Sequence, residues 1–228
     1  MRIAELYRSV QGEGSLTGTP SVFVRASGCN LRCWFCDTPY ASWEPEGEDR
    51  GVGEILEAIL AFDCPHVVLT GGEPMLFAEL IPLCELLHKA GKHLTIETAG
   101  TLHLPVACDL MSISPKLANS TPSYLQSPRW HQRHERARQT PEIVQRLIDE
   151  YDYQLKFVVH HPEDLQGVLE YLALIASFAP ERVWIMPQGV SRSALETISQ
   201  WLQPWTQEHG FQYCPRKQIE WYGSQRGT

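Results

Sequence analysis

The sequence predicts an α/β fold, an incomplete (βα) barrel of about six mainly parallel strands. Short apolar runs alternate with segments of helical spacing, and the connections between them are short. Clear helices are fewer than a closed eightfold barrel needs, so the sheet is expected to stay open. Residues 21–27 are β-branched and aromatic and read as a strand. A polar loop with Pro and Gly follows over 38–51. Residues 53–62 have helical spacing. The run 66–70, closed by Gly71 and Gly72, reads as a buried strand. Leu76 to Ala90 reads as a helix stopped by Gly91, and 93–98 and 107–114 as strands. A helix is expected over 141–151, with Thr140 as its N-cap and Pro141 at its first position. Then come a strand at 153–159, a helix at 162–178, a strand at 182–187, a helix at 193–209 ended by Gly210, and a last short strand at 211–215. Residues 115–139 break the rhythm, with early breakers and then an Arg-rich run. The chain is therefore expected to be one domain over 1–228 with an insertion at about 117–139.

The 228 residues are 43% apolar and 10% aromatic, enough to bury a sizeable core, which excludes wholesale disorder. Nineteen Lys and Arg stand against 27 Asp and Glu, a net charge of −8. No global basic field exists, so a protein that coats nucleic acid is excluded. No stretch approaches the length of a membrane span, and the first residues lack the apolar core of a secretion signal. A cytoplasmic location is expected. Seven Cys is an odd number, which favours reduced thiols or metal thiolates over a disulfide framework.

Cys29, Cys33 and Cys36 share one short stretch, whereas Cys64, Cys84, Cys108 and Cys214 are scattered among apolar residues and read as small buried hydrophobes. Thiolates select zinc, copper or iron–sulfur centres. A structural zinc site wants a fourth ligand, and the first His after Cys36 is His66. Three protein ligands leave one position open. For a four-iron cluster that means one iron free to bind a small molecule. A second motif, Thr70-Gly71-Gly72-Glu73-Pro74, follows a strand directly. Its glycines permit close backbone approach, and a carboxylate at a strand's C-terminal end lies where α/β folds hold ligands. Glu73 could receive an ammonium group there. Alone, the motif reads as a turn that starts a helix at Pro74; after the cysteine motif it becomes a specific signal.

Together the two motifs resemble the radical S-adenosylmethionine superfamily. Ser9-Val10-Gln11-Gly12-Glu13-Gly14, Phe23-Val24-Arg25, Gly28-Cys29-Asn30, Cys36-Asp37-Thr38, Glu97 through Thr101, Ser114-Pro115-Lys116, Lys156-Phe157-Val158 and Pro187-Gln188 are similar to the 7-carboxy-7-deazaguanine synthase family. The resemblance runs from residue 9 to about 190. It implies radical ring contraction of 6-carboxy-5,6,7,8-tetrahydropterin to 7-carboxy-7-deazaguanine with loss of ammonia, in queuosine and deazapurine synthesis. It implies a [4Fe–4S] cluster, reusable S-adenosylmethionine and Mg²⁺, a homodimer, and a reducing partner such as flavodoxin.

On that resemblance, Cys29, Cys33 and Cys36 ligate the cluster and Thr38 binds magnesium. Asp37, Gly72, Glu73, Ser114, Lys116 and Gln188 line the S-adenosylmethionine site. Gln11, Gly12, Glu13, Arg25, Thr70, Glu97 and Gln218 meet the pterin. Several residues carry blander alternatives. Arg25, mid-strand in an apolar run, needs a partner, either an internal acid or the substrate carboxylate. Thr38 reads equally as a turn residue before Pro39, and Lys116 as an exposed charge. Gln218 stands where many family members have a His, and Gln cannot become cationic. The 117–139 segment reads as a solvated helix or loop, or as a surface for an acidic partner. Two rival readings accompany the leading one: an activase that makes a glycyl radical on a partner enzyme, and a zinc-binding interaction module without turnover.

Overall fold

The computed structural model describes residues 1–223 and 225–228. The chain opens with β1 (Arg2–Val10), which forms an antiparallel hairpin with β2 (Pro20–Ala26); the two-residue β3 (Glu48–Asp49) pairs antiparallel on the outer side of β1. From β2 onward the sheet is parallel: β4 (His66–Gly71), β5 (His93–Thr98), β6 (Leu110–Ile113), β7 (Tyr153–Val159), β8 (Val183–Pro187) and β9 (Gln212–Tyr213) follow in chain order. The sheet ends at β3 and β9 without joining them, so it is open as expected. Seven strands are parallel, counting the two-residue β9.

Eight helices accompany it among the described residues: α1 (Pro39–Ser42), α2 (Val52–Leu60), α3 (Leu80–Lys89), α4 (Pro128–Arg138), α5 (Pro141–Glu150), α6 (Asp164–Leu172), α7 (Arg192–Glu208) and α8 (Lys217–Tyr222). On α3, Leu80, Leu83, Cys84 and Leu87 recur at helical spacing and are fully buried. Ile55 and Ile59 of α2 do the same. They share one core with Val67, Leu69, Leu94 and Ile96 of the strands. No helix is long and apolar enough to cross a membrane.

The structure corrects several expectations. β1 was not anticipated, because Glu5, Tyr7 and Arg8 interrupt any apolar alternation. The helix expected from Leu76 begins only at Leu80. Before it, Pro74–Leu76 form a 3₁₀ turn, and Phe77 is extended. The expected 162–178 helix shrinks to Asp164–Leu172 and the 107–114 strand to Leu110–Ile113. Thr140 occupies the N-cap position of α5, yet its hydroxyl donates to Gly100 O (3.0 Å) and caps nothing. α4 lies in the segment read as a solvated helix or loop, and α8 in a stretch to which no element was assigned.

The parallel strands end together on one edge. In register, Arg25 faces Thr70, Thr98 faces Ile113, and Val159 faces Pro187. Ligands of open α/β sheets gather at that carboxyl edge. Gly72 has to be glycine, since a Cβ there would sit 2.1 Å from Gly28 O.

Candidate active site

A cavity of about 360 Å³ opens at the carboxyl edge. All three expected cluster cysteines line it. So do Asp37, Thr38, Gly72, Ser114, Lys116 and Gln188, and Gln11, Gly12, Glu13, Arg25, Thr70, Glu97 and Gln218.

Glu73 is the exception. It is fully buried behind the wall, and its carboxylate accepts from Met75 N (3.0 Å), Thr98 Oγ1 (2.8 Å) and Ala99 N (2.8 Å). Burial pushes its pKa up against the pull of those donors. In this arrangement the side chain fastens the end of β4 to the end of β5 and has no reach into the cavity, contrary to expectation. The motif meets the cavity through Thr70, Gly71 and Gly72 instead.

The cysteine loop leaves β2 at Ala26 and returns at α1. All three thiols are free. Leu31 N–H points at Cys29 Sγ (3.4 Å), and Cys36 Sγ lies 3.1 Å from Ser42 Oγ and 3.8 Å from Thr38 Oγ1. Burial pushes the Cys29 thiol up to about 12 and the Cys33 thiol up to about 11, and the neighbouring thiols push in the same direction. Such a trio ionises only when a cationic centre offsets the burial. Among the described residues no three His, Cys, Asp or Glu side chains are arranged to share a single metal ion. A cluster spreads its thiolates over separate irons, and three thiols on one loop would leave its fourth iron to another ligand. Thr38 sits at the N-cap of α1, but its hydroxyl makes no capping bond. Asp37 pairs with Arg216. Lys116 Nζ is held by Ser114 O (2.9 Å) and Ser114 Oγ (2.6 Å), so it is neither free nor fully exposed.

Elsewhere the lining is a network of acids and bases. Lys156, on β7, is 3% exposed and lies between Glu13 Oε2 (3.2 Å) and Glu97 Oε1 (3.0 Å). Glu13 also accepts from Arg216 Nε (3.3 Å) and Gln218 Nε2 (2.6 Å). Burial opposes its ionisation, but Lys156 and Arg216 outweigh burial and hold its carboxyl down at about 2. Burial would likewise discharge Lys156; Glu97 and Glu13 reverse the sign and raise its pKa. Gln218 Oε1 is buried and has no hydrogen-bond partner. Gln11 Nε2 donates to Ser21 Oγ (2.9 Å).

Arg25 is satisfied by an internal acid: Nε donates to Glu5 Oε2 (2.8 Å) and Nη2 to Tyr7 Oη (3.1 Å). Tyr40 Oη donates to the same Glu5 oxygen (2.8 Å). Two of five guanidinium N–H groups are thereby engaged, and the side chain still lines the cavity. Tyr7 stacks on Phe23 (centroids 5.4 Å, interplanar angle 11°), and both line the wall.

Lys156, Arg216, Glu5, Tyr7 and Tyr40 were given no role by sequence reasoning. Lys156 carried a signal, a lone charge inside an apolar strand. Arg216 and the β1 residues carried none, because their partners lie far off in sequence.

The model of the radical SAM superfamily matches residues 23–175. A 7-carboxy-7-deazaguanine synthase from Rhodopirellula baltica is 46% identical over 227 residues, covering 99% of this chain and 88% of its own. The chain belongs to the 7-carboxy-7-deazaguanine synthase family. A second member, from Halobacterium salinarum, is 43% identical over 95% of this chain and 88% of its own. The crystal structure of QueE from Escherichia coli superposes with a TM-score of 0.65 at 25% identity, covering 94% of this chain and 92% of that one. As a radical SAM family member the chain uses a [4Fe–4S] cluster and S-adenosylmethionine. Nothing among these relatives supports the glycyl-radical activase, and a zinc module without turnover does not fit the family.

Proposed function

We propose that this chain contracts the ring of 6-carboxy-5,6,7,8-tetrahydropterin to give 7-carboxy-7-deazaguanine and ammonia. The carrying observation is one cavity that joins three free cysteines to a Glu13–Lys156–Glu97 array centred on a buried lysine. When bound, the cluster and S-adenosylmethionine supply a one-electron cleavage that yields a carbon radical able to take the hydrogen from C6. Cys29, Cys33 and Cys36 would hold the cluster. Gly72, Asp37, Ser114, Lys116 and Gln188 would bound the cofactor's space.

The remaining residues read the substrate. Glu13 and Glu97, paired with Lys156, accept N–H groups of the aminopyrimidine edge. Gln218 Oε1, buried without a donor, accepts another. Gln11, Gly12 and Thr70 shape the wall beside them. The three unengaged N–H groups of Arg25 would grip the pterin carboxylate. Thr38, with its hydroxyl free of capping, would hold a magnesium ion beside that carboxylate. The enzyme would work in the cytoplasm as a homodimer. A reductant such as flavodoxin, being acidic, would meet the face where Arg32 and Arg133 flank the Trp130 ring (4.0 and 4.6 Å to its centroid).

The test is anaerobic reconstitution with iron and sulfide, then dithionite, S-adenosylmethionine, magnesium and the pterin. Mass detection of 7-carboxy-7-deazaguanine without net loss of S-adenosylmethionine is expected. Cofactor cleavage with no product would reject the substrate. Arg25→Ala should keep the cluster and raise KM while lowering kcat by about 100-fold, the scale of one lost charged contact. Unchanged kinetics would refute the carboxylate grip.

A further inference from the structure

The 117–139 segment is largely exposed, yet it is tied to the cysteine loop. His134 of α4 is fully buried, and both ring nitrogens are paired. Nδ1 accepts from the backbone N–H of Arg32 (3.0 Å), so Nε2 carries the proton and donates to Ser120 Oγ (2.9 Å). Ser120 Oγ in turn donates to Leu117 O (2.6 Å). Trp34 completes the joint: its backbone N–H donates to Ser120 O (3.1 Å) and its indole N–H to Asn119 O (2.6 Å). Arg32 and Trp34 are the two neighbours of Cys33, so both flanks of the middle cysteine are fastened to this segment. α4 is braced in turn: His131 Nδ1 bonds Pro122 O (2.9 Å), and Glu135 takes Thr121 Oγ1 and Arg138. His131, His134, Glu135 and Arg138 lie on one helical face. Burial pulls the His134 pKa down to about 4, consistent with a neutral ring.

We propose that His134 is a positioning residue for the iron–sulfur loop. Through Arg32 N–H it fixes the backbone on the N-terminal side of Cys33 and so presents that thiolate to its iron. The inference rests on the three cysteines holding the cluster. Partners that orient a metal ligand are worth about tenfold or more in metal retention when removed.

Two substitutions separate this from mere packing. His134→Asn places an amide oxygen near Nδ1 and keeps an acceptor for Arg32 while abandoning Ser120. His134→Gln reaches toward Ser120 and leaves the Arg32 N–H unpaired. Each loses one hydrogen bond, so their melting temperatures should fall alike. Iron release to a chelator from the reconstituted holoenzyme should be about tenfold faster in His134→Gln than in wild type. The rate for His134→Asn should stay near wild type, and the cluster's midpoint potential should shift only in His134→Gln. Equal release rates and potentials in the two variants would overturn the proposal. If either variant fails to fold, amide hydrogen exchange in the wild-type holoenzyme decides. A protected Arg32 amide is expected, and exchange at the rate of an open loop would overturn it. Wild-type protein that takes up no cluster would instead defeat the cysteine assignment.

Discussion

Lys156 shows how a single residue sets the chemistry of a surface. Its ammonium is almost unexposed and is surrounded by Glu13 and Glu97. Deleting one partner of a buried ionic group leaves the others uncompensated. Lys156→Met should therefore cost about 3 kcal/mol in chemical denaturation and abolish turnover; a variant of wild-type stability would show that the two acids are neutral in the fold. Glu13 gives the matching pH test. Its carboxyl is held down at about 2 from an ordinary value of 4.5. A depressed carboxylate stabilises the fold above its unfolded pKa, and that contribution is lost as pH falls toward the folded one. The melting-temperature gap between wild type and Glu13→Gln should be flat above pH 5 and should close between about 4.5 and 2. A gap independent of pH would sink the assignment.

At the scale of elements, the loop between β1 and β2 matters most. It carries Gln11, Gly12 and Glu13 to the mouth of the sheet and is pinned there. Ser15 N–H donates to Gln154 Oε1 (2.9 Å), and Gln154 Nε2 donates to Ser112 Oγ (2.9 Å). Lys217 N–H donates to Gly12 O (3.0 Å). Gly14 adopts φ +72°, and a Cβ there would lie 2.5 Å from the Gln154 amide. Gly14→Ala combines left-handed strain with a clash against a buried side chain. It should destabilise by about 2 kcal/mol in urea melts and raise KM for the pterin more than it lowers kcat, because the displaced residues are the ones proposed to bind substrate. A lowered kcat at unchanged KM would point to the cofactor side instead.

Across the whole molecule, the cavity is assembled from both ends of the chain. Arg216 and Gln218 meet Glu13 more than 200 residues away, and Arg216 also reaches Asp37 beside the last cysteine. Every parallel strand from β2 to β8 contributes its carboxyl end or the loop after it. A ligand in that cavity therefore touches most of the sheet and should stabilise the domain as a unit. Cluster-loaded protein with S-adenosylmethionine at 100 times its Kd should gain about 2.7 kcal/mol. That corresponds to a rise in Tm of roughly 5–10 °C by calorimetry for a chain of this size. No rise, with binding shown by an independent method, would mean that the observed transition does not include the binding site, so that the domain does not unfold as a unit.

The parallel strands and the helices α2, α5 and α7 were legible because their signal is local: apolar period, β-branching, a Pro or Gly at a terminus. The cysteine loop and the Gly71-Gly72 turn were legible for a similar reason, since spacing within a few residues carries their chemistry. What the tertiary structure decided was every pairing across long separations. It turned Glu73 inward onto Thr98 and Ala99. It placed Lys156 between an acid of the β1–β2 loop and an acid of β5, and gave Arg25 a partner on β1. The segment around α4, read as a solvated helix or loop, is a largely exposed helix; what escaped the reading is its one buried residue, His134, because it is hidden by hydrogen bonds to Arg32 and Ser120, and hydropathy registers no burial that hydrogen bonding achieves. Local pattern therefore determined the scaffold and the cofactor motif, and contact between distant polar groups decided how the site is charged and held.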